Sequence, residues 1–300
     1  ALSSAASDVY KRQAYTIGIS TLLFQTLTNN PILTPSILGF DSLYLLIQTL
    51  FVFSLGGIGF AQLNISSKFL FETLLMLGAA LLLFRTLTKD NADIARMLLI
   101  GVVFGVFFRS VNNLLQRMID TEEFAVAQSS SFASFNSANT TLLTTGIIIA
   151  LLSSIWVWTQ RHKLDVLMLG KHKAIGLGIN YNRFSHQLLI CCALLVSVST
   201  ALVGPILFLG LLVCAIVNAI SPTMQHAIRI PLTFIVSATT LVLGQAVFEQ
   251  LFQLQGVLSV DIEFLGGIVF IYLMIKSKAI FDMTLMLCLI LDRILHKFDL

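Results

Sequence analysis

The feature that most constrains this chain is the recurrence of apolar runs close to bilayer length with almost no charge inside them. Nine such runs, bounded by charges or by proline and glycine, cover residues 14–27, 37–55, 69–84, 97–108, 141–158, 188–203, 208–220, 232–252 and 264–275. A helix that spans the hydrocarbon core needs about 20 apolar residues. The shorter runs fit helices that tilt or that break inside the protein. Only 11% of the residues are charged, against roughly a quarter in soluble domains, so a soluble chain of this length could not cover its surface. The short alternating segments of a membrane β-barrel do not occur. The expectation is an all-α, polytopic membrane protein.

Lysine and arginine placement gives the orientation. One set of alternating loops holds Arg85, Lys89, Arg96, Arg161, Lys163, Lys171, Lys173, Arg183, Arg229, Lys276 and Lys278. The opposite set holds only Lys68, Arg109 and Arg117, beside acidic Asp120, Glu122, Glu123, Glu249, Asp261 and Glu263. The first set is therefore assigned to the cytoplasm and residues 112–140 to the outside. Residues 1–13, ALSSAASDVYKRQ, are small, polar and charged, without the apolar stretch of a signal peptide. They read as foreign to the chain, like a translated adapter, with at least one more span expected ahead of them. Residues 279–300 read as an amphipathic surface helix or a read-through extension, since Asp282, Asp292, Arg293 and His296 interrupt them.

Residues 160–186 form the largest cytoplasmic segment, and they are patterned. Leu164, Val166, Leu167 and Leu169 precede Gly170, and Ala174, Ile175, Leu177 and Ile179 follow it. This predicts two short helices parted at Gly170, with charges on their outer faces. Such a pair suits either docking to a partner protein or a solvated connector on the membrane surface.

Motifs for catalysis are absent: no H-E-x-x-H, phosphate-binding lysine loop, nucleophile elbow or dinucleotide fingerprint occurs. The cysteines (Cys191, Cys192, Cys214, Cys288) lie in apolar runs without metal-ligand spacing and read as small apolar fillers. The five histidines (His162, His172, His186, His226, His296) fall at cytoplasmic ends, where solvated side chains are expected. Ionisable residues inside spans mark ion pathways, and only Asp41 and Glu72 come near that. Asp41 reads as a helix-capping residue and Glu72 as lying near a helix start. No cofactor or metal site is expected, and a transporter energised from elsewhere fits better than an intramembrane enzyme or a secondary carrier.

Two places break the apolar pattern in the same way. NPILTPSILGF at 30–40 and GPILFLGLLV at 204–213 each carry a proline followed by Ile-Leu and then a glycine, between two apolar runs. Proline restricts its own backbone and that of the preceding residue, and glycine permits close approach. By the span count, the first break follows an inward-running helix and the second an outward-running one, as an inverted repeat requires.

These segments resemble the FecCD-type permease family of ABC importers, which take up iron–siderophore complexes, haem and vitamin B12. QTLTNNPILTPSILGFDSLY at 25–44 is similar to the family's Q-x-x-x-x-N-P-L-A-x-P-x-x-L-G segment. LGKHKAIGLGIN at 169–180 is similar to its cytoplasmic L-G-x-x-x-A-x-x-L-G-V coupling segment, and STALVGPILFLGLLV at 199–213 to its G-x-I-x-F-x-G-L segment. FLGGIVFIYLMIKSK at 264–278 resembles the last helix. The wording LTPSILGFDSLY is most similar to permeases of ferric-siderophore systems with two different membrane subunits.

The resemblance implies a permease domain over 14–278 with ten helices, in a bacterial inner membrane. It implies a type II importer that pairs with a second permease subunit, as a heterodimer or a homodimer. A cytoplasmic ATPase dimer would drive it and an extracytoplasmic binding protein would deliver the ferric siderophore; nucleic acid has no part. Coupling to the ATPase would fall on Leu169, Gly170, Ala174, Leu177 and Gly178. Asn30, Pro31, Pro35, Gly39, Gly204 and Gly210 would shape the helix breaks. The family's R-L-P-R-like stretch is replaced by VYKRQ, which leaves Lys11 and Arg12 as the weak candidates for contact with the binding protein. The family's Pro-His pair and nearby Arg are missing from VCAIVNAI at 213–220, as expected for one member of a heterodimer. Haem, vitamin B12 or another metal chelate are the alternative cargoes within this class.

Overall fold

A computed structural model describes residues 4–88, 94–120, 124–125, 128, 140–247 and 267–268. Within them are ten α-helices and one 3-10 turn, without strands. They are α1 (Ser4–Thr28), α2 (Phe40–Gln62), α3 (Ile65–Thr88), α4 (Ile94–Met118), α5 (Thr140–Thr159), α6 (Arg161–Leu167), α7 (Lys171–Gly176), α8 (Tyr181–Val203), α9 (Leu209–Ile220) and α10 (His226–Val247). The 3-10 turn is Pro35–Leu38. The expected run at 264–275, the extension at 279–300 and most of the external segment lie outside the described residues.

By length and composition, Phe40–Phe60, Leu98–Met118 and Tyr181–Leu202 can cross a membrane, and Thr144–Thr159, Leu209–Ile220 and His226–Leu241 are shorter apolar helices. The run expected at 37–55 ends where α2 bends, because Gly56 takes a positive φ of 73° within that helix.

Helix α1 is the axis of the bundle, packed by α8, α9 and α10. From Thr16 to Leu27 it is almost wholly buried, with apolar Ile19, Leu22, Leu23 and Phe24 shut off from solvent beside polar Ser20, Thr21, Gln25 and Thr26. Several of its hydroxyls bond back to their own helix. Ser20 Oγ donates to Ile17 O (2.9 Å), and Thr28 Oγ1 donates to Phe24 O (2.8 Å). Intrahelical bonds of this kind let hydroxyls sit in an apolar interior without orphaned groups.

Helix α4 is the opposite case. Leu99, Val102, Val103, Phe104, Val106 and Phe107 are all exposed. Its inward side is a small-residue pair four apart, Gly101 and Gly105, set against the turn at Leu38 and Gly39. Small residues at that spacing allow backbones to approach closely inside membranes.

Candidate functional site: the coupling segment and its anchorage

The first break is built residue by residue. Asn29 adopts a left-handed φ of 49°, which Asn tolerates better than other side chains. The Asn30 N–H closes back on Gln25 O at 3.2 Å, the six-to-one bond that ends a helix cleanly. Asn30 Oδ1 accepts from the Ile32 N–H (3.0 Å), and Gln25 Nε2 donates to Pro31 O (2.6 Å). Pro35 opens the 3-10 turn and Gly39, at φ 87°, closes it. A Cβ on Gly39 would lie 2.7 Å from Gly105 Cα, so conformation and packing both demand glycine there.

Gly204 ends α8 with φ 103° and donates to Thr200 O at 2.7 Å. Gly210 faces α1, where a Cβ would overlap the Thr21 side chain, 2.9 Å from its Cβ. Asp41 is buried in the first turn of α2, but the capping position itself belongs to Gly39. Lys11 and Arg12 lie within the helical backbone of α1.

Residues 160–180 form the expected helix pair. Gly170, at φ 94°, separates α6 from α7. The Gly178 N–H donates to Ile175 O (2.9 Å) and the Ile179 N–H to Ala174 O (3.1 Å). Asn180 then caps α8, its Oδ1 accepting from the Arg183 N–H at 3.3 Å. Leu164, Leu167 and Ala174 join the main apolar core with Tyr181, Phe184 and Leu188. They seat the pair on the bundle.

The five expected coupling residues divide accordingly. Ala174 is fully buried, while Leu169 (51% exposed) and Leu177 (62%) point away from the bundle, as does Ile175 (51%). A Cβ at Gly170, Gly176 or Gly178 would meet nothing within 4 Å. Exposed His162, Lys163, His172, Lys173 and Arg183 surround these apolar side chains.

The anchorage includes residues that sequence reasoning placed in solvent. His226 is fully buried at the start of α10. Its backbone N–H and its Nδ1 both donate to Asp165 Oδ1 of α6, at 2.8 and 2.7 Å. The carboxylate thereby satisfies an orphan donor at the positive end of α10. On the other edge of the ring, Nε2 lies 2.8 Å from Thr26 Oγ1 of α1. Buried Arg229, one turn further on, donates to Asn218 of α9 and reaches Met168 Sδ at 3.8 Å. Neither residue carries a local sign of burial, since both partners of each lie far away in sequence or on another helix.

Glu72 departs from expectation too. It is buried within α3, where Gln48 Nε2 of α2 donates to Oε1 at 2.6 Å and Lys68 Nζ stands 3.8 Å away.

Residues 13–276 match the FecCD transport family. The chain belongs to the FecCD transport family. It is 47% identical over 263 residues to the petrobactin import system permease protein YclO of Bacillus subtilis (strain 168), covering 87% of this chain and 84% of that one. It is 33% identical over 263 residues to the petrobactin import system permease protein FatC of Bacillus anthracis, covering 87% and 74%. Among solved structures, an inward-facing putative metal-chelate type ABC transporter matches with a TM-score of 0.79 at 22% identity, over 90% of this chain and 86% of that one. The fold is thus that of an ABC importer permease. The FecCD chain is a multi-pass subunit of the bacterial inner membrane and not an enzyme.

Proposed function

We propose that this FecCD chain forms, with a second permease subunit, the membrane pathway of an ATP-driven importer of ferric siderophores. The observation that carries the reading is the segment at 160–180. A helix pair is seated on the bundle by Leu164, Leu167 and Ala174, yet presents Leu169, Ile175 and Leu177 outward among cationic side chains. An apolar tip with a basic collar fits a cleft with an apolar floor and an acidic rim. A cytoplasmic ATPase dimer is the partner that an ABC permease needs there. Gly170 and Gly178 serve the same end, holding turns that keep the tip narrow. The permease domain spans 14–278, with 160–186 as its coupling segment. Petrobactin, the cargo in the names of two relatives, is the first siderophore to try. The bare face of α4 supports pairing with another membrane subunit, either a different permease or a second copy. An external binding protein supplies the cargo.

The test is reconstitution of the chain with its partner permease, the ATPase and the binding protein in proteoliposomes. ATP-dependent accumulation of ferric petrobactin is the expected result. Accumulation of no ferric chelate, with the complex assembled and ATP hydrolysed, overturns the cargo assignment.

A further inference from the structure

Three helices that are distant in sequence meet at one buried imidazole. Asp165 belongs to the helix pair that carries the exposed tip, His226 opens α10, and Thr26 sits in the last turn of α1. Both edges of the ring are engaged, at 2.7 Å to Asp165 Oδ1 and 2.8 Å to Thr26 Oγ1. Thr26 Oγ1 also lies 2.8 Å from Leu22 O. When the Thr26 hydroxyl donates to Leu22 O, a protonated Nε2 donates to Thr26 Oγ1; when the hydroxyl turns to the ring, an unprotonated Nε2 accepts from it. The link therefore survives either protonation state of His226, which marks it as a fastener rather than a pH switch.

The path continues beyond Thr26. Its neighbour Gln25 holds Pro31 through a 2.6 Å bond, and the following turn rests its Leu38 and Gly39 on Gly101 and Gly105 of α4. Core packing alone would let α6 slide over the bundle end, because apolar contact is not directional. Hydrogen bonds from a carboxylate to a helix terminus and a ring fix the register.

We propose that Asp165, His226 and Thr26 are positioning residues that lock the coupling helices to α1 and α10. Displacement of the tip by the ATPase then moves these transmembrane helices instead of being lost at the joint. This proposal rests on the functional reading above. Coupling through a network needs direct evidence from paired substitutions, and the geometry supplies the pairs.

The experiment measures ferric siderophore transported per ATP hydrolysed in the reconstituted complex, for Asp165→Ala, His226→Ala, their double variant, Thr26→Val and Thr26→Ser. The expected result is a fall of about tenfold in that ratio for Asp165→Ala and Thr26→Val, with the ATPase still bound and hydrolysing. The double variant should be no worse than the poorer single one, and Thr26→Ser, which keeps the hydroxyl, should restore the ratio. Thr26→Val preserves shape, so it separates the lost bond from lost packing. An unchanged ratio in Thr26→Val overturns the proposal, as do additive losses in the double variant or an equal loss in Thr26→Ser. If the unsubstituted complex hydrolyses ATP but imports no ferric chelate, the functional reading fails instead.

Discussion

The break at 29–39 and the proposed coupling segment at 160–180 use the same backbone device in opposite surroundings. Each ends a helix with a six-to-one bond, Asn30 to Gln25 in one and Ile179 to Ala174 in the other, and each uses glycine at positive φ, Gly39 in one and Gly170 and Gly178 in the other. At the break, the glycine is hemmed in: a Cβ on Gly39 would strike the backbone of Gly105. At the coupling segment, the space around Gly170 and Gly178 is empty. Glycine is therefore required by packing plus conformation in the first, and by conformation alone in the second. Local pattern marks both as turns; only the neighbours separate a structural joint from a surface left open for a partner.

Substitutions that treat the two turns alike should break this comparison, and the expected effects on stability fall in order. Gly39→Val meets both a forbidden φ and an overlap with α4, and should cost about 3 kcal/mol or more. Thermal unfolding in detergent and the amount of protein in the membrane would show it. Gly101→Leu drives a side chain toward Leu38 Cα, 2.9 Å from an ideal Cβ, and should cost about 1–3 kcal/mol by the same measurement. Gly170→Ala suffers strain at φ 94° but no collision, so a loss of about 1 kcal/mol is expected.

Leu177→Asp should shift stability by no more than about 0.5 kcal/mol, because that side chain touches solvent. Its effect on function reverses the ranking: co-purification with the ATPase should fall about tenfold or more, as for an interface hot spot. Equal destabilisation by Leu177→Asp and Gly39→Val would erase the distinction between joint and surface. Burial of Ala174 also sharpens the choice of variants, since a charged residue there would disturb the seat of the helix pair as well as its docking.

Much of this was legible in the sequence because it depends on local chemistry. Asn29, Pro35 and Gly39 declare a turn by their backbone preferences, and Gly170 divides two apolar clusters into two short helices. What stayed hidden was long-range. His226 and Arg229 look like solvated residues at a helix end, yet tertiary packing buries them against Asp165 and Asn218. Glu72 reads as a residue near a helix start, yet it is buried within α3, where Gln48 of α2 reaches it. A polar residue in a membrane protein finds its partner across helices, and one-dimensional periodicity carries no record of that pairing.

The central claim is that the outward tip of 160–180 transmits ATP hydrolysis to a pathway for ferric siderophore. Its most direct test is uptake of labelled ferric petrobactin by proteoliposomes holding the assembled complex, comparing the natural chain with Leu177→Asp. The account predicts ATP-dependent uptake by the natural chain, and its loss in the variant with thermal stability unchanged. Undiminished uptake by Leu177→Asp would contradict it.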